Sequence, residues 1–518
     1  NKISPYFGNL SECLGSSNKD TNLINYIRGT DISGARNRTV TQSGTTGVWK
    51  LGDIVYSSPA VMQTVNDTDA SKTYNVIFAG ANDGMLHAFL MGQPINTYQK
   101  DTIVKLCNDD KFTTDTQGNI TCTDGNDLEP FVFRVFTSSG IKTILIGGMR
   151  LGGCVNPPAD ANGAGYSSYY AIDVTDPKKP SLLWEFSDVS LGFSYSGPGI
   201  IKEYDGKENK YFVMFLSGPT DYDGSSSQSL KAFILDLLSG NLLQTITDFG
   251  GSTYNNAFGG RLFTGGVVDN SNSLTASIPF GISYKDSSGN WYGKVFLLNT
   301  FENADYTKWK IVPVNLSMNI GPVTAQVATS KCQNSRQYIY FGTGRYFKAT
   351  DGIRSPNENI FGADVTSCIN SESCTVSLTK ITPSDQIGKS YVPGFSWYVP
   401  LDAKLGERDI SDPVADSNSV TFTTAIPSGG GNTSKSLCIS GYGGQTRVWS
   451  LSCGIGAPNT SGQSYIISTS SGGLYSASAN TSNTTGIIGT YTDIPAVKKP
   501  TQVPAGTNKG IIIQWLEK

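Results

Sequence analysis

The chain holds a single histidine, His87, in the stretch "GANDGMLHAF" (residues 80–89), beside an acid, a methionine and two glycines. A Ser-His-Asp or Cys-His hydrolase needs an imidazole base next to its nucleophile, so only this segment could supply one. The alternation around His87 places it on a strand leaving a turn, where the expected role is structural, bonded to a neighbouring strand. One histidine is also too few for a His-based metal site. Two acidic pairs have the every-other-residue spacing that wraps oxygens around Ca²⁺: Asp221 and Asp223 in "TDYDGSSSQ", and Asp67 and Asp69 in "VNDTDAS". Neither carries the sixth-place glycine and closing acid of a full loop, and such fragments also form Asx turns. "DNSNS" (Asp269, Ser271, Ser273) spells the DxSxS of a von Willebrand A metal site, but that site needs an α/β setting and strands follow here. "GTGRYF" (residues 342–347) is too short for a phosphate loop and no helix signal follows it. It is expected to be a hairpin turn with Arg345 in an internal ion pair.

The elements that must carry these residues are strands. Among 518 residues, 38% are hydrophobic and 11% aromatic, enough for a packed core, while only 16% are charged. Fifty-eight glycines, with abundant Ser, Thr and Asn, favour turns over helices. The net charge of −3 and the lack of a basic run argue against nucleic acid as a partner. No apolar run approaches the ~20 residues of a transmembrane helix. The opening "NKISPYFGNL" has no signal-peptide pattern and reads as the start of a mature fragment.

One pattern recurs: an apolar strand, a Gly/Asp/Asn/Ser turn, then an alternating strand. It appears in "YNVIFAGANDGMLHAFL", "KTILIGGMRLGG", "KYFVMFLSGPTDYDG", "SIPFGISYKDSSGNWYGKVFLLNT", "QYIYFGTGRYF" and "KSLCISGYGGQTRVWSLSCGIG", with a weak last copy in "SYIISTSSGGLYSAS". The glycines Gly80, Gly147, Gly218, Gly281 and Gly342 recur at roughly 60 to 70 residues and are expected to permit positive φ at the hairpins. Blades with two apolar faces packed in a ring bury both faces without a long open edge. The expected fold is therefore all-β: a modified β-propeller of about seven blades, with loop insertions and few short helices, one near "TNLINYIRG". Residues 1–45 are read as an extension leading into a propeller of residues 46–518, whose last segment, about 456–518, carries only the weak copy. Trp49, Trp184, Trp291, Trp397, Trp449 and Trp515 are spread over the copies, as blade packing requires.

Nine cysteines occur, without CxxC, CxxCH or an adjacent pair, so zinc knuckles and c-type haem are excluded. Local spacing suggests Cys107 with Cys122, Cys368 with Cys374, and Cys438 with Cys453, as in an oxidising compartment. Cys13, Cys154 and Cys332 remain.

"GDIVYSSPAV", "GANDGMLHAF", "YYAIDVTDP" with "LLWEF", "YIYFGTGRYF" and "GFSWYVPLDAKLGERDISDPV" followed by "VTFTTAIP" resemble, in the same order, the C-terminal domain of the PilY1/PilC family, from about residue 20 to about 455. The resemblance implies a modified β-propeller on a type IV pilus-associated protein, exported through periplasm and outer membrane to the cell surface or pilus tip. It implies promotion of pilus extension by opposing retraction, contact with minor pilins, and attachment to host or abiotic surfaces and twitching motility, without catalysis. Family members usually carry a longer N-terminal region, often with a von Willebrand A-like domain.

The family also has a calcium loop, DxDxDGxxD, whose aligned position here is "VVDNSNSLTASIPFGISY". Asp269 matches the first acid, but Ser271, Ser273 and Ser277 replace the others and Leu274 stands where glycine belongs. One formal charge does not offset Ca²⁺ dehydration as three or four carboxylates do, so tight calcium binding by this loop is not expected. Two other functions fit a propeller. A quinoprotein dehydrogenase would call for a cofactor cavity and Ca²⁺ ligands, and commonly an adjacent disulfide, and no Cys-Cys occurs. A glycan-binding lectin propeller stays open beside the adhesin.

Overall fold

The structure is a computed structural model. It describes most of residues 128–262 and 273–427, residues 266–268, the strands between 39 and 123, and strands within 444–454, 463–468, 478–479 and 487–488. The chain forms two compact units. One comprises residues 1–247 and 253–259, the other residues 248–252 and 260–518. Among the described residues helix is confined to short 3-10 turns such as Tyr306–Lys308 and Thr366–Cys368. The expected helix near residues 21–29 lies outside the described residues.

In the first unit three antiparallel sheets follow one another in sequence. Sheet 1 is Ala60–Thr64, Tyr74–Gly80, Met85–Leu90 and Gln93–Gln99. Sheet 2 is Phe131–Thr137, Gly140–Gly148, Tyr169–Asp173 and Ser181–Phe186. Sheet 3 is Gly199–Tyr204, Asn209–Leu216, Ala232–Asp236 and Leu242–Ile246. The second unit repeats the plan. Sheet 4 contains Val267–Val268, Thr275–Lys285, Trp291–Asn299 and Lys310–Leu316. Sheet 5 contains Ala328–Lys331, Gln337–Gly342, Asn359–Asp364 and Trp397–Pro400. In sheet 6, Arg408–Asp409 and Val414–Ala415 both pair with Ser419–Pro427, followed by Gly444–Ser452 and Gln463–Ser468.

Strand alternation fills both faces of the middle sheets. Ile144 and Ile146 enter the apolar layer shared by sheets 2 and 3, while Leu145 between them enters the layer shared by sheets 1 and 2. In sheet 5, Ile339 and Phe341 face the layer shared with sheet 4, and Tyr338 and Tyr340 the layer shared with sheet 6. Successive side chains point to opposite faces, so a strand apolar at every position must be covered on both sides. Tyr169 stacks on Phe215 at 3.9 Å across one layer. Two tryptophans tie neighbouring sheets through their indole N–H groups: Trp184 donates to the Leu237 carbonyl (2.7 Å) and Trp397 to that of Ser452 (3.1 Å).

The repeating glycines have a different role from the one expected. Gly80, Gly147, Gly281 and Gly342 lie within or at the end of second strands, and Gly218 follows one by two residues. None of them has positive φ. What the last four provide is close approach. A Cβ at Gly147 would run into the Tyr170 ring, at Gly218 into the Phe193 carbonyl, at Gly281 into Val323 and at Gly342 into the Asp409 carboxyl.

A second repeat marks the third strands, several of which end in aspartate. Asp173 accepts from the amide and hydroxyl of Thr175 (3.0 and 2.6 Å), Asp236 from those of Ser239 (2.8 and 2.7 Å), and Asp364 from those of Thr366 (2.9 and 2.7 Å). Asp173 and Asp236 cap the turn into the fourth strand in Asx fashion, and Asp364 caps the turn into the 3-10 helix Thr366–Cys368. "DVTDP" is one copy of this device. Prolines mark the approach to first strands: Pro59, Pro130 and Pro198 immediately precede them. Lacking an N–H, proline suits a position where the ladder has not begun.

Among the described residues two disulfides are formed. Cys368–Cys374 matches the expected local pair, and Cys332–Cys453 replaces the expected Cys438–Cys453. The reason is strand geometry. Cys453 follows the nine-residue strand Gly444–Ser452, which at about 3.3 Å per residue carries the chain roughly 30 Å from the loop before it. That places Cys453 in the apolar layer beside Cys332; Cys438 lies outside the described residues.

Candidate functional site

Among the described residues a cluster of buried charge lies in the second unit, where the segments "FGTGRYF" and "LGERDISDPV" meet. The strand Gln337–Gly342 ends against the backbone of Asp409, whose N–H donates to the Thr343 carbonyl (2.9 Å). Beyond it, the Arg345 guanidinium lies over the Trp291 ring at 4.0 Å and pairs with Asp351 at 2.6 Å. Both side chains are buried, and the Phe347 N–H donates to the second Asp351 oxygen (2.9 Å). The expected internal ion pair of Arg345 is thus present.

Glu407, Arg408 and Asp409 are consecutive and each is almost wholly buried. Glu407 accepts from the Thr424 hydroxyl (2.5 Å) and the Asp402 N–H (3.1 Å), with the Arg447 Nη1 at 3.5 Å. Arg408 donates to the carbonyls of Gly406 (3.1 Å), Arg345 (3.0 Å) and Asp351. Burial pulls the Arg408 pKa down, while Glu358 and Asp351 oppose that shift. Asp409 accepts only the Ser411 N–H (3.3 Å) on Oδ1. Its Oδ2 lies against Gly342 and has no hydrogen-bond partner among the described residues. Burial first, then the like charges of Asp412, Glu407 and Glu358, push the Asp409 carboxyl well above the usual carboxylate range. Asp412 is fixed by the Gln326 N–H (2.9 Å) and Arg261 (2.8 Å).

This arrangement joins segments. Its strong bases are arginines, which keep their protons, and the carboxylates of Asp351, Glu407 and Asp412 are occupied by amides, hydroxyls and guanidinium groups, whereas Asp409 Oδ2 is left without such a partner among the described residues. Among the described residues no group of three or more His, Cys, Asp or Glu side chains is placed to hold a metal ion. Sequence reasoning named Arg345 but missed Glu407, Arg408 and Asp409. The available signal was three consecutive charged residues, "ERD", between a Gly turn and an Asp-Pro.

The other named residues do not converge. His87 is buried in Met85–Leu90, opposite Ala79 and Thr97 in the ladder and 6.2 Å from the Phe89 ring. Asp221 and Asp223 form a turn of Asx type: Asp223 N–H donates to Asp221 Oδ1 (3.2 Å), Ser225 N–H to Asp223 Oδ1 (2.8 Å), and Gly224 has φ 72°. Asp67, Asp69, Asp269 and Ser271 lie outside the described residues. Ser273 is exposed with φ 55°, Leu274 is buried, and Ser277 is buried within Thr275–Lys285.

No family model matches the chain. A type IV pilus biogenesis factor PilY1 homolog of Xylella fastidiosa is 25% identical over 450 residues, covering 78% of this chain and 33% of that protein. The type IV pilus biogenesis factor PilY1 of Pseudomonas aeruginosa strain UCBPP-PA14 is 26% identical over 250 residues, 44% of this chain and 19% of that protein. The crystal structure of the Pseudomonas aeruginosa PilY1 C-terminal domain superposes with a TM-score of 0.50 at 17% identity, over 74% of this chain and 80% of that one. The chain resembles the PilY1 C-terminal domain in sequence and in fold. Its fold class is accordingly the β-propeller expected from the repeats. The chain spans a third or less of the length of these curated PilY1 relatives. Among the described residues no helix is long and apolar enough to cross a membrane.

Proposed function

We propose that the chain is the propeller part of a type IV pilus biogenesis factor. It promotes pilus extension, surface attachment and twitching motility from the cell surface or pilus tip, and it acts by binding, without catalysis. Similarity over 78% of the chain to a protein named as a pilus biogenesis factor carries this reading. The buried charge is in keeping with it: the contacts of Arg345, Glu407 and Arg408 tie segments of the fold to one another. Its partners on this reading are minor pilins on the pilus side and a host or abiotic surface on the other.

The test is removal of this region from the chromosomal gene, with surface pili counted in retraction-competent and retraction-deficient cells. A factor that opposes retraction leaves the first strain bald and the second piliated. Unchanged piliation and twitching in the retraction-competent strain would sink the proposal.

A further inference from the structure

The hairpin Phe112–Thr114 and Ile120–Thr123 is inserted between the last strand of sheet 1 and the first strand of sheet 2. Its second strand pairs antiparallel with the two-residue strand Gly153–Cys154, which puts Gly153 opposite Thr123 and Cys154 opposite Cys122. Directly opposed residues of an antiparallel pair share a face, with Cα atoms about 4.5 to 5.5 Å apart. That interval falls inside the roughly 4.4 to 6.8 Å that a disulfide spans. The backbone leading to Cys154 is fixed by its neighbours. The Arg150 N–H donates to Ser194 Oγ (2.9 Å), the Gly152 N–H to the Met149 carbonyl (2.8 Å), and the Tyr222 hydroxyl to the Gly153 carbonyl (2.6 Å).

We propose that Cys122 and Cys154 form a further disulfide, in place of the Cys107–Cys122 bond that local spacing suggests. It fastens the inserted hairpin to the turn at residues 149–153. Two S–H bonds break and one S–S bond forms. The two electrons and two protons pass to a disulfide oxidant, whose own disulfide is reduced to a dithiol. Cys13, Cys107 and Cys438 then lie outside the three bonds.

Trypsin separates the candidates: Cys107 falls in peptide 106–111, Cys122 in 112–134 and Cys154 in 151–178. The exported protein is isolated without reductant, its free thiols are alkylated under denaturing conditions, and the digest is read by mass spectrometry. Samples are used in which the Cys332–Cys453 and Cys368–Cys374 bonds are intact. The expected result is 112–134 cross-linked to 151–178, with Cys122 becoming alkylatable in Cys154→Ser. A cross-link from 112–134 to 106–111 or to any other cysteine peptide overturns the proposal. So does an alkylated Cys122 or Cys154 in the unmutated protein.

Discussion

Asp409 shows how one residue can be set against its own charge. Its Oδ2 is buried against Gly342 without a partner, with Asp412, Glu407 and Glu358 nearby. The folded state therefore holds the Asp409 proton more tightly than the unfolded chain does. A raised carboxyl pKa contributes stability that is fully present below the unfolded value of about 3.9 and is lost as pH rises toward the folded value. Asp409→Asn stays neutral throughout. Denaturation midpoints measured from pH 4 to pH 8 should fall for the unmutated protein relative to Asp409→Asn. A rise instead would mean that Asp409 is ionised and paired. The local sequence offers only the charged run "ERD"; the burial that raises the Asp409 pKa arises when strand Gln337–Gly342 is laid beside it.

At the scale of elements, the two disulfides close loops of very different length, with sequence separations of 121 and 6. Loop-closure entropy gives about 5 kcal/mol for the longer and about 2 kcal/mol for the shorter. Paired Cys→Ser variants compared by denaturant midpoint should rank Cys332/Cys453 as the costlier loss; equal shifts would contradict an entropic origin. The shorter loop is also held by Asn299, whose amide donates to the Cys368 and Ser371 carbonyls (2.9 and 2.8 Å). The strand after it, Cys374–Val376, runs parallel along the outer edge of sheet 4 and covers a row of open ladder groups. The connection after Val267–Val268 bears on calcium. Of the positions aligned with the family's calcium loop, the described ones are Ser273, which is exposed, Leu274, which is buried, and Ser277, which is buried inside a strand, and none of the three carries a carboxylate. Calorimetric titration should show no micromolar Ca²⁺ site that Asp269→Ala abolishes, and finding one would restore the loop as a metal site.

For the whole molecule, the charge cluster belongs to folding of the second unit, so function and stability should fail together. Arg345→Ala strands Asp351 in a buried position, a loss of about 3 to 5 kcal/mol for a broken buried pair. Protein abundance and piliation should drop in parallel in cells carrying it. Lost piliation with abundance and melting intact would instead mark Arg345 as a partner contact. The all-β class, the blade-like repeat and the Cys368–Cys374 pair were legible in the sequence, because period-two alternation, turn composition and short spacing are local properties. So was the place of His87 in an alternating strand, where it lies buried. The tertiary structure decided what depends on distant segments. It made four of the repeating glycines points of close approach, gave Cys453 to Cys332, and set Cys122 opposite Cys154. It also gathered Arg345, Glu407, Arg408 and Asp409 into one buried cluster. Each of these rests on which strand lies beside which, and that is fixed by packing between sheets, which no single stretch of sequence contains.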